Sequence, residues 1–319
     1  MTLLLAAIVA AGIALPHLLR LQRASPVTAA ALWLCSLGLR ALAGVLAVVY
    51  LLFFLPQTEL FSSLTHWCLH TALPFVAGEI GVEGHGLGDL TLYVPGALLT
   101  LSLVVVCLTT ARDARAARDL LVHDALGDGP RDSLIVSGPD IAFAVAGIAR
   151  PRIVVSAGAL ARLDDDELAA ALDHEQAHIA HRHRYVMLVA LGCRALGRLV
   201  PGGGRALREL AFQLERDADR CALRRRNDRL ALASVICKAA AAERPAIAQL
   251  GGTGVRERLG QLLEDQPPHR TRRAGAALNG LAVAMVACTL LLAALVPTAA
   301  VAGAGADAHR AHHAQHCEH

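Results

Sequence analysis

Charge is scarce in this sequence, and lysine is nearly missing. Of its 319 residues only 18% are Asp, Glu, Lys or Arg, 55% are hydrophobic, and the mean hydropathy is +0.47. Soluble domains carry about 25% charged residues, so the balance points to a chain that meets lipid. Lys238 is the single lysine among 30 basic residues. The rest are arginine, which reads as coding bias and not as a nucleic-acid signature. A net charge of +3 is too small to call for an anionic partner, so no direct nucleic-acid contact is expected. No C-x-x-C pair occurs among Cys35, Cys68, Cys107, Cys193, Cys221, Cys237, Cys288 and Cys317. That argues against a disulfide framework or a structural zinc site and leaves the cysteines as small hydrophobes.

Charge is also missing in blocks. Thr2 to Leu19, Ala29 to Leu55, Thr91 to Thr110 and Ala276 to Val301 contain no Asp or Glu, and each is expected to span a bilayer. Arg40 is the one full charge inside them. The first run lacks the positive leading region of a signal peptide, so an uncleaved span is expected. The loop Pro56 to Leu90 has no Lys or Arg, while Arg20 and Arg23 flank the first loop. Residues 111–275 hold 26 of the 30 basic and 21 of the 27 acidic residues, starting with a charged helix from Arg112 to Ala125.

The positive-inside rule then puts the amino terminus and the Pro56 to Leu90 loop outside and residues 111–275 in the cytoplasm. The expected organisation is a three-span membrane domain over 1–110, a catalytic domain over 111–275, a fourth span over 276–301 and a His-rich tail over 302–319. A multi-pass protein of the inner (plasma) membrane is therefore expected, with the lipid bilayer as its first partner. Tyr185 to Val200 is apolar but interrupted by Arg194 and Arg198, and reads as a core or membrane-facing helix instead of a fifth span. Arg224, Arg225, Arg226 and Arg229 offer either a contact for anionic headgroups or a solvated helix end.

What is plentiful is histidine, 15 residues, and one array organises them: Asp173-His174-Glu175-Gln176-Ala177-His178. A chance H-E-x-x-H at this composition has an expectation of about 0.02 per chain. Asp164-Asp165-Asp166-Glu167 before it reads as a cap and first turn, with acids at the positive end of the helix dipole. On a helix His174 and His178 lie one turn apart on one face. Both imidazoles can reach one Zn²⁺, and Glu175 is placed to take a proton from the attacking water. The competing reading is a solvated His-rich helix, to which His181 and His183 lend some support.

A catalytic zinc site needs a third protein ligand. Arg205 to Leu223 has a helical pattern, with Leu207, Leu210, Ala211, Leu214, Ala218, Cys221 and Leu223 on its apolar side. Glu215 and Asp219, four apart on this helix, share a face. Glu215 is the expected third ligand, and Asp219 the carboxylate that accepts the free ring N–H of a ligating histidine. Glu209 and Asp217 remain competitors for the ligand position. His181, His183 and Arg220 are the candidates for an extra oxyanion donor. Ahead of the metal helix, Ile141 to Ala146 and Arg152 to Ser156 read as a hairpin, with Pro151 at a strand start. Such a hairpin offers an extended peptide main-chain hydrogen bonds, or serves as plain scaffold. Val255 to Leu263 reads as ordinary domain closure.

Three stretches together, His174-Glu175-x-x-His178, Glu215-Arg-Asp-Ala-Asp219 and Ile153-Val-Val-Ser-x-Gly-Ala-Leu160, resemble the gluzincin-type integral membrane peptidases. The arrangement of spans is similar to the BlaR/MecR-type regulatory peptidases, and the motifs also resemble the HtpX-like and CAAX-prenyl branch. The resemblance implies an α-helical multi-pass protein with an α+β zincin-like domain, mostly helical with a small hairpin or sheet. It also implies one Zn²⁺ on His174, His178 and Glu215, Glu175 as base and Asp219 in support. The expected activity is hydrolysis of a cytoplasmic or membrane-proximal protein, with a transcriptional repressor as one candidate. Only about 18 residues follow the last expected span, without the penicillin-binding domain of sensor members, so any signal is expected through a separate sensor partner, the second loop or the tail. Quality control of membrane proteins is the alternative enzyme reading, and a non-catalytic metal-binding scaffold the alternative outside enzymes.

Overall fold

The computed structural model describes residues 2–19, 21, 24–53, 86–123, 125–147, 151–226, 228–242 and 254–263, with single positions between 277 and 287. Helices dominate. Apolar α1 (Thr2–Leu18) and α2 (Pro26–Phe53) come first, followed by the long α3 (Gly86–His123). Four short strands come next: β1 (Ala125–Asp128), β2 (Leu134–Val136), β3 (Phe143–Ala146) and β4 (Arg152–Ser156). The chain then runs through α4 (Ala157–Arg162), α5 (Asp165–Ala180), α6 (His183–Leu196), α7 (Gly203–Arg226), α8 (Arg229–Ala242) and α9 (Val255–Leu263).

Among the described residues two helices are long and apolar enough to cross a membrane, Pro26–Leu52 and Tyr93–Ala116. Apolar α1, with 17 residues, is shorter than either of these. Most of the fourth expected span, the Pro56 to Leu90 loop as far as 85, and the His-rich tail lie outside the described residues. The charged helix expected from Arg112 is not separate. It continues the third span in one 38-residue α3, and Ala125 belongs to β1 instead.

The sheet has the order β1-β2-β4-β3. The expected hairpin is present, with β3 antiparallel to β4 in the register Phe143↔Val155 and Ala146↔Arg152. β2 runs parallel to β4, and β1 closes the other edge antiparallel to β2. Central β4 is buried on both faces, which suits its unbroken Ile-Val-Val run. Ile153 and Val155 pack with Ala171 and Leu172 of α5 and Val235 of α8, while Val154 meets Val136 and Ala146. The Ser156 hydroxyl caps α4 by accepting from the Ala159 N–H.

α7 ties the two halves of the molecule together. Its first half puts Ala206, Leu207, Leu210 and Leu214 into one cluster with Leu32, Trp33, Leu37 and Leu39 of α2, where Met285 also packs. Its second half puts Ala218 and Cys221 against Ala177 of α5. α6 is too short to span and lies against α2 and α3. A Cβ on Gly44 would run into the Leu196 carbonyl oxygen, so α2 and the end of α6 touch backbone to backbone.

Candidate metal centre

The metal helix is fixed at its start. The Asp164 carboxylate accepts from the Glu167 N–H, and Glu167 accepts from the Asp164 N–H, a reciprocal cap that satisfies two backbone donors. Glu167 is itself buried under α8, where the lone lysine, Lys238, donates to both its oxygens at 2.6 Å and Ser234 donates at 2.6 Å. The Lys238 ammonium holds the Glu167 carboxyl below its ordinary value. Two turns on, Asp173 accepts from Arg131 at 2.8 Å and Arg225 at 3.3 Å, pinning α5 to the turn before β2 and to the end of α7.

His174 and His178 then project from one face. Their Nε2 atoms are 3.1 Å apart. The Glu215 carboxylate of α7 turns Oε2 to His174 Nε2 at 3.4 Å and Oε1 to His178 Nε2 at 3.5 Å. Those three separations can be compared with one tetrahedral ion. With Zn–N and Zn–O bonds of about 2.0–2.1 Å, two ligand atoms sit about 3.3 Å apart. Two imidazole nitrogens and a carboxylate at this spacing are the donor set and the scale that one zinc ion takes.

The rest of the site holds these three. Asp219 Oδ1 lies 2.9 Å from His174 Nδ1, the ring nitrogen that faces away from His178. The contact is close in distance but off the line of a straight hydrogen bond. Arg258 of α9, with its side chain only 10% exposed, donates to Asp219 through Nε at 2.8 Å and NH2 at 2.7 Å and to Glu215 through NH1 at 2.8 Å. One planar guanidinium therefore locks two carboxylates in register.

Burial pulls the His174 imidazole down, but the Asp219 and Glu215 carboxylates outweigh it and raise it to about 10 in the metal-free site. Burial and the neighbouring His174 push His178 down to about 4, so it is neutral and ready to ligate. Glu215 is held well below the carboxylate range, since His174 and Arg258 overcome its burial. Glu175 behaves in the opposite way. Half-buried beside His174, it is pushed up by burial and by the Glu215 charge, against the pull of His174 and Arg258. A carboxyl raised in this way holds a proton more readily than a free glutamate, as a group that takes and returns one must.

The structure brings His174, His178, Glu215 and Asp219 together and leaves Glu209 and Asp217 outside that group. Glu209 lies six residues before Glu215 on α7. Asp217 faces His181 and His183 in a second cluster. Arg258 carried no signal in the sequence, being one arginine in a short helix with no motif around it. His183, a candidate oxyanion donor, is buried with both ring nitrogens engaged, by His178 and Asp217.

Residues 134–213 match the model of Peptidase family M48. The matched stretch runs from β2 into α7, so it contains His174, Glu175 and His178 and stops two residues short of Glu215. It indicates a metallopeptidase domain and does not choose between the BlaR/MecR-type and HtpX-like branches. No curated protein and no solved structure matches.

Proposed function

We propose that this protein is a membrane-embedded zinc endopeptidase that hydrolyses peptide bonds of a cytoplasmic or membrane-proximal protein. The spacing of the His174, His178 and Glu215 ligand atoms carries the reading. The family match over the same helix supports the reaction class, and the apolar helices α2 and α3 support the membrane setting.

When bound, zinc supplies Lewis acidity to the scissile carbonyl and to water. The chain's own groups do the rest. His174, His178 and Glu215 hold the ion, and Asp219 keeps His174 turned with Nε2 towards it. Arg258 fixes Glu215 and Asp219 relative to each other. Glu175 takes the proton of the attacking water and delivers it to the leaving amine. The biological role we assign is regulatory, cleavage of a repressor or stress-signalling protein in response to a separate sensor partner.

The test is cleavage of casein or of the chain itself by detergent-purified protein, before and after zinc removal with a chelator and zinc return. Activity lost and restored with the metal, and absent in Glu175→Gln that still carries zinc, is the expected result. Activity indifferent to the chelator would sink the proposal. For the regulatory role, full activity on unfolded membrane proteins with none on a folded repressor would move the assignment to quality control.

A further inference from the structure

Beside the metal centre lies a second group of metal-ligating side chains, His181, His183 and Asp217. Its geometry differs from the first. His181 Nδ1 is in short hydrogen-bond contact with Asp217 Oδ2, and His183 Nε2 lies 3.3 Å from the same oxygen. The other ring nitrogen of His183, Nδ1, lies 2.9 Å from Nδ1 of His178. The cluster is therefore joined to the metal centre through the back of one of its ligands.

That junction is made by the backbone. In an unbroken helix residues five apart are rotated by about 140° around the axis and cannot meet. Arg182 takes the left-handed conformation (φ 55°, ψ 35°), unusual for a residue with a Cβ, and ends α5 there. The chain turns, α6 starts at His183, and its buried ring folds back onto His178, making an edge-on ring contact at 4.8 Å.

Tautomers decide what the junction can do. His178 presents Nε2 to His174 and Glu215, so as a neutral metal ligand it must carry its proton on Nδ1. His183 Nδ1 must then accept, which puts the His183 proton on Nε2, facing Asp217. Every group in the row is satisfied: His178 Nδ1–H donates to His183 Nδ1, and His183 Nε2–H donates to Asp217. A second metal on His183 Nε2 would reverse this. Both rings would then need Nδ1–H, and two donors would face each other across 2.9 Å.

We propose that His183 and Asp217 form a positioning relay that fixes His178 with Nε2 towards the zinc, and that the His181, His183, Asp217 cluster holds no metal of its own. Asp219 acts on His174 by direct contact; Asp217, two residues earlier on α7, acts on His178 through His183. Both ligand histidines thus take their orientation from one helix, the one that also brings Glu215. The inference rests on the zinc reading above.

The test uses the full chain in detergent: zinc per chain, zinc affinity by chelator competition, and the visible spectrum of the cobalt-substituted protein. His183→Leu removes both ring nitrogens and is expected to weaken zinc 10- to 100-fold, as is usual for lost partners of metal ligands, and to shift the cobalt bands. His183→Asn, whose side-chain oxygen can take the place of Nδ1 as acceptor, is expected to recover most of that loss and the wild-type spectrum. Asp217→Ala gives an independent loss should His183→Leu fail to fold. Wild type and His181→Ala are both expected to hold one metal. Two metals in wild type, or His183→Leu, His183→Asn and Asp217→Ala all matching wild type in affinity and spectrum, would overturn the relay alone. No metal in wild type would overturn the zinc reading and the relay together.

Discussion

Arg40 and Arg258 are both buried arginines, and they satisfy their charge in opposite ways. Arg40, 2% exposed in the middle of α2, donates to the carbonyl oxygens of Pro201 and Ser36 at 3.1 Å each, to the Ser36 hydroxyl and to His17 Nε2 at 2.9 Å. Every one of these acceptors is neutral. Arg258 instead spends its donors on two carboxylates, Glu215 and Asp219, both of which touch His174. The first arginine fastens the loop before α7 to an apolar helix. The second is one link from the metal position. Similar burial therefore marks a staple in one half of the molecule and a support of the candidate metal centre in the other. α7, packed on α2 at its start and on α5 at its end, joins them.

The sharpest test of the catalytic half leaves both arginines alone. Glu175→Gln keeps the size of the side chain and removes its proton chemistry, so a loss of about 10²- to 10⁴-fold in kcat is expected, with zinc content unchanged. A matching loss of zinc would instead make Glu175 a structural support of the metal site.

Replacing the two arginines by methionine breaks the comparison directly. Arg258→Met leaves buried Asp219 and the partly exposed Glu215 without their counter-charge, at up to about 3–5 kcal/mol, and zinc affinity is expected to fall with stability. Arg40→Met strands only neutral acceptors, at about 1–3 kcal/mol, and zinc affinity is expected to stay at the wild-type value. Denaturation curves and chelator competition on the same samples read both. Equal loss of zinc in the two variants would abolish the distinction.

The metal half should also respond to pH. Metal-free His174 keeps its proton up to about pH 10, so zinc bound below that displaces one proton. Apparent zinc affinity is expected to rise with pH by about tenfold per unit between pH 7 and 9. His178, pushed down to about 4, adds nothing in this window. A flat affinity profile would mean that His174 is already neutral without metal. The smallest effect is expected at Lys238, whose side chain is 40% exposed. Lys238→Met should cost under about 1 kcal/mol after solvent screening and leave zinc affinity alone.

The metal helix was legible because its signals are local: an acidic cap, two histidines one turn apart, and apolar positions at helical spacing. Asp164, Glu167, His174 and His178 all sit where that pattern puts them. Glu215 and Asp219 were legible for the same reason, being one turn apart on a second helix. Three features were not. β1 and β2 are strands of four and three residues, and Ala-Leu-Gly-Asp in β1 has no strand propensity; they exist because β4 has an edge to fill. The break at Arg182 has no glycine to announce it, and tertiary contacts of His183 hold it there. Arg258 meets its carboxylates 39 and 43 residues away along the chain, a distance over which a lone arginine gives no pattern.

The measurement that bears most directly on the account is metal content by mass spectrometry on detergent-purified protein never exposed to a chelator, for wild type, Arg40→Met and Glu215→Ala. About one zinc per chain in the first two and little in the third is the result the geometry predicts. Full zinc in Glu215→Ala would show that the third ligand lies elsewhere, and no zinc in wild type would contradict the metallopeptidase itself.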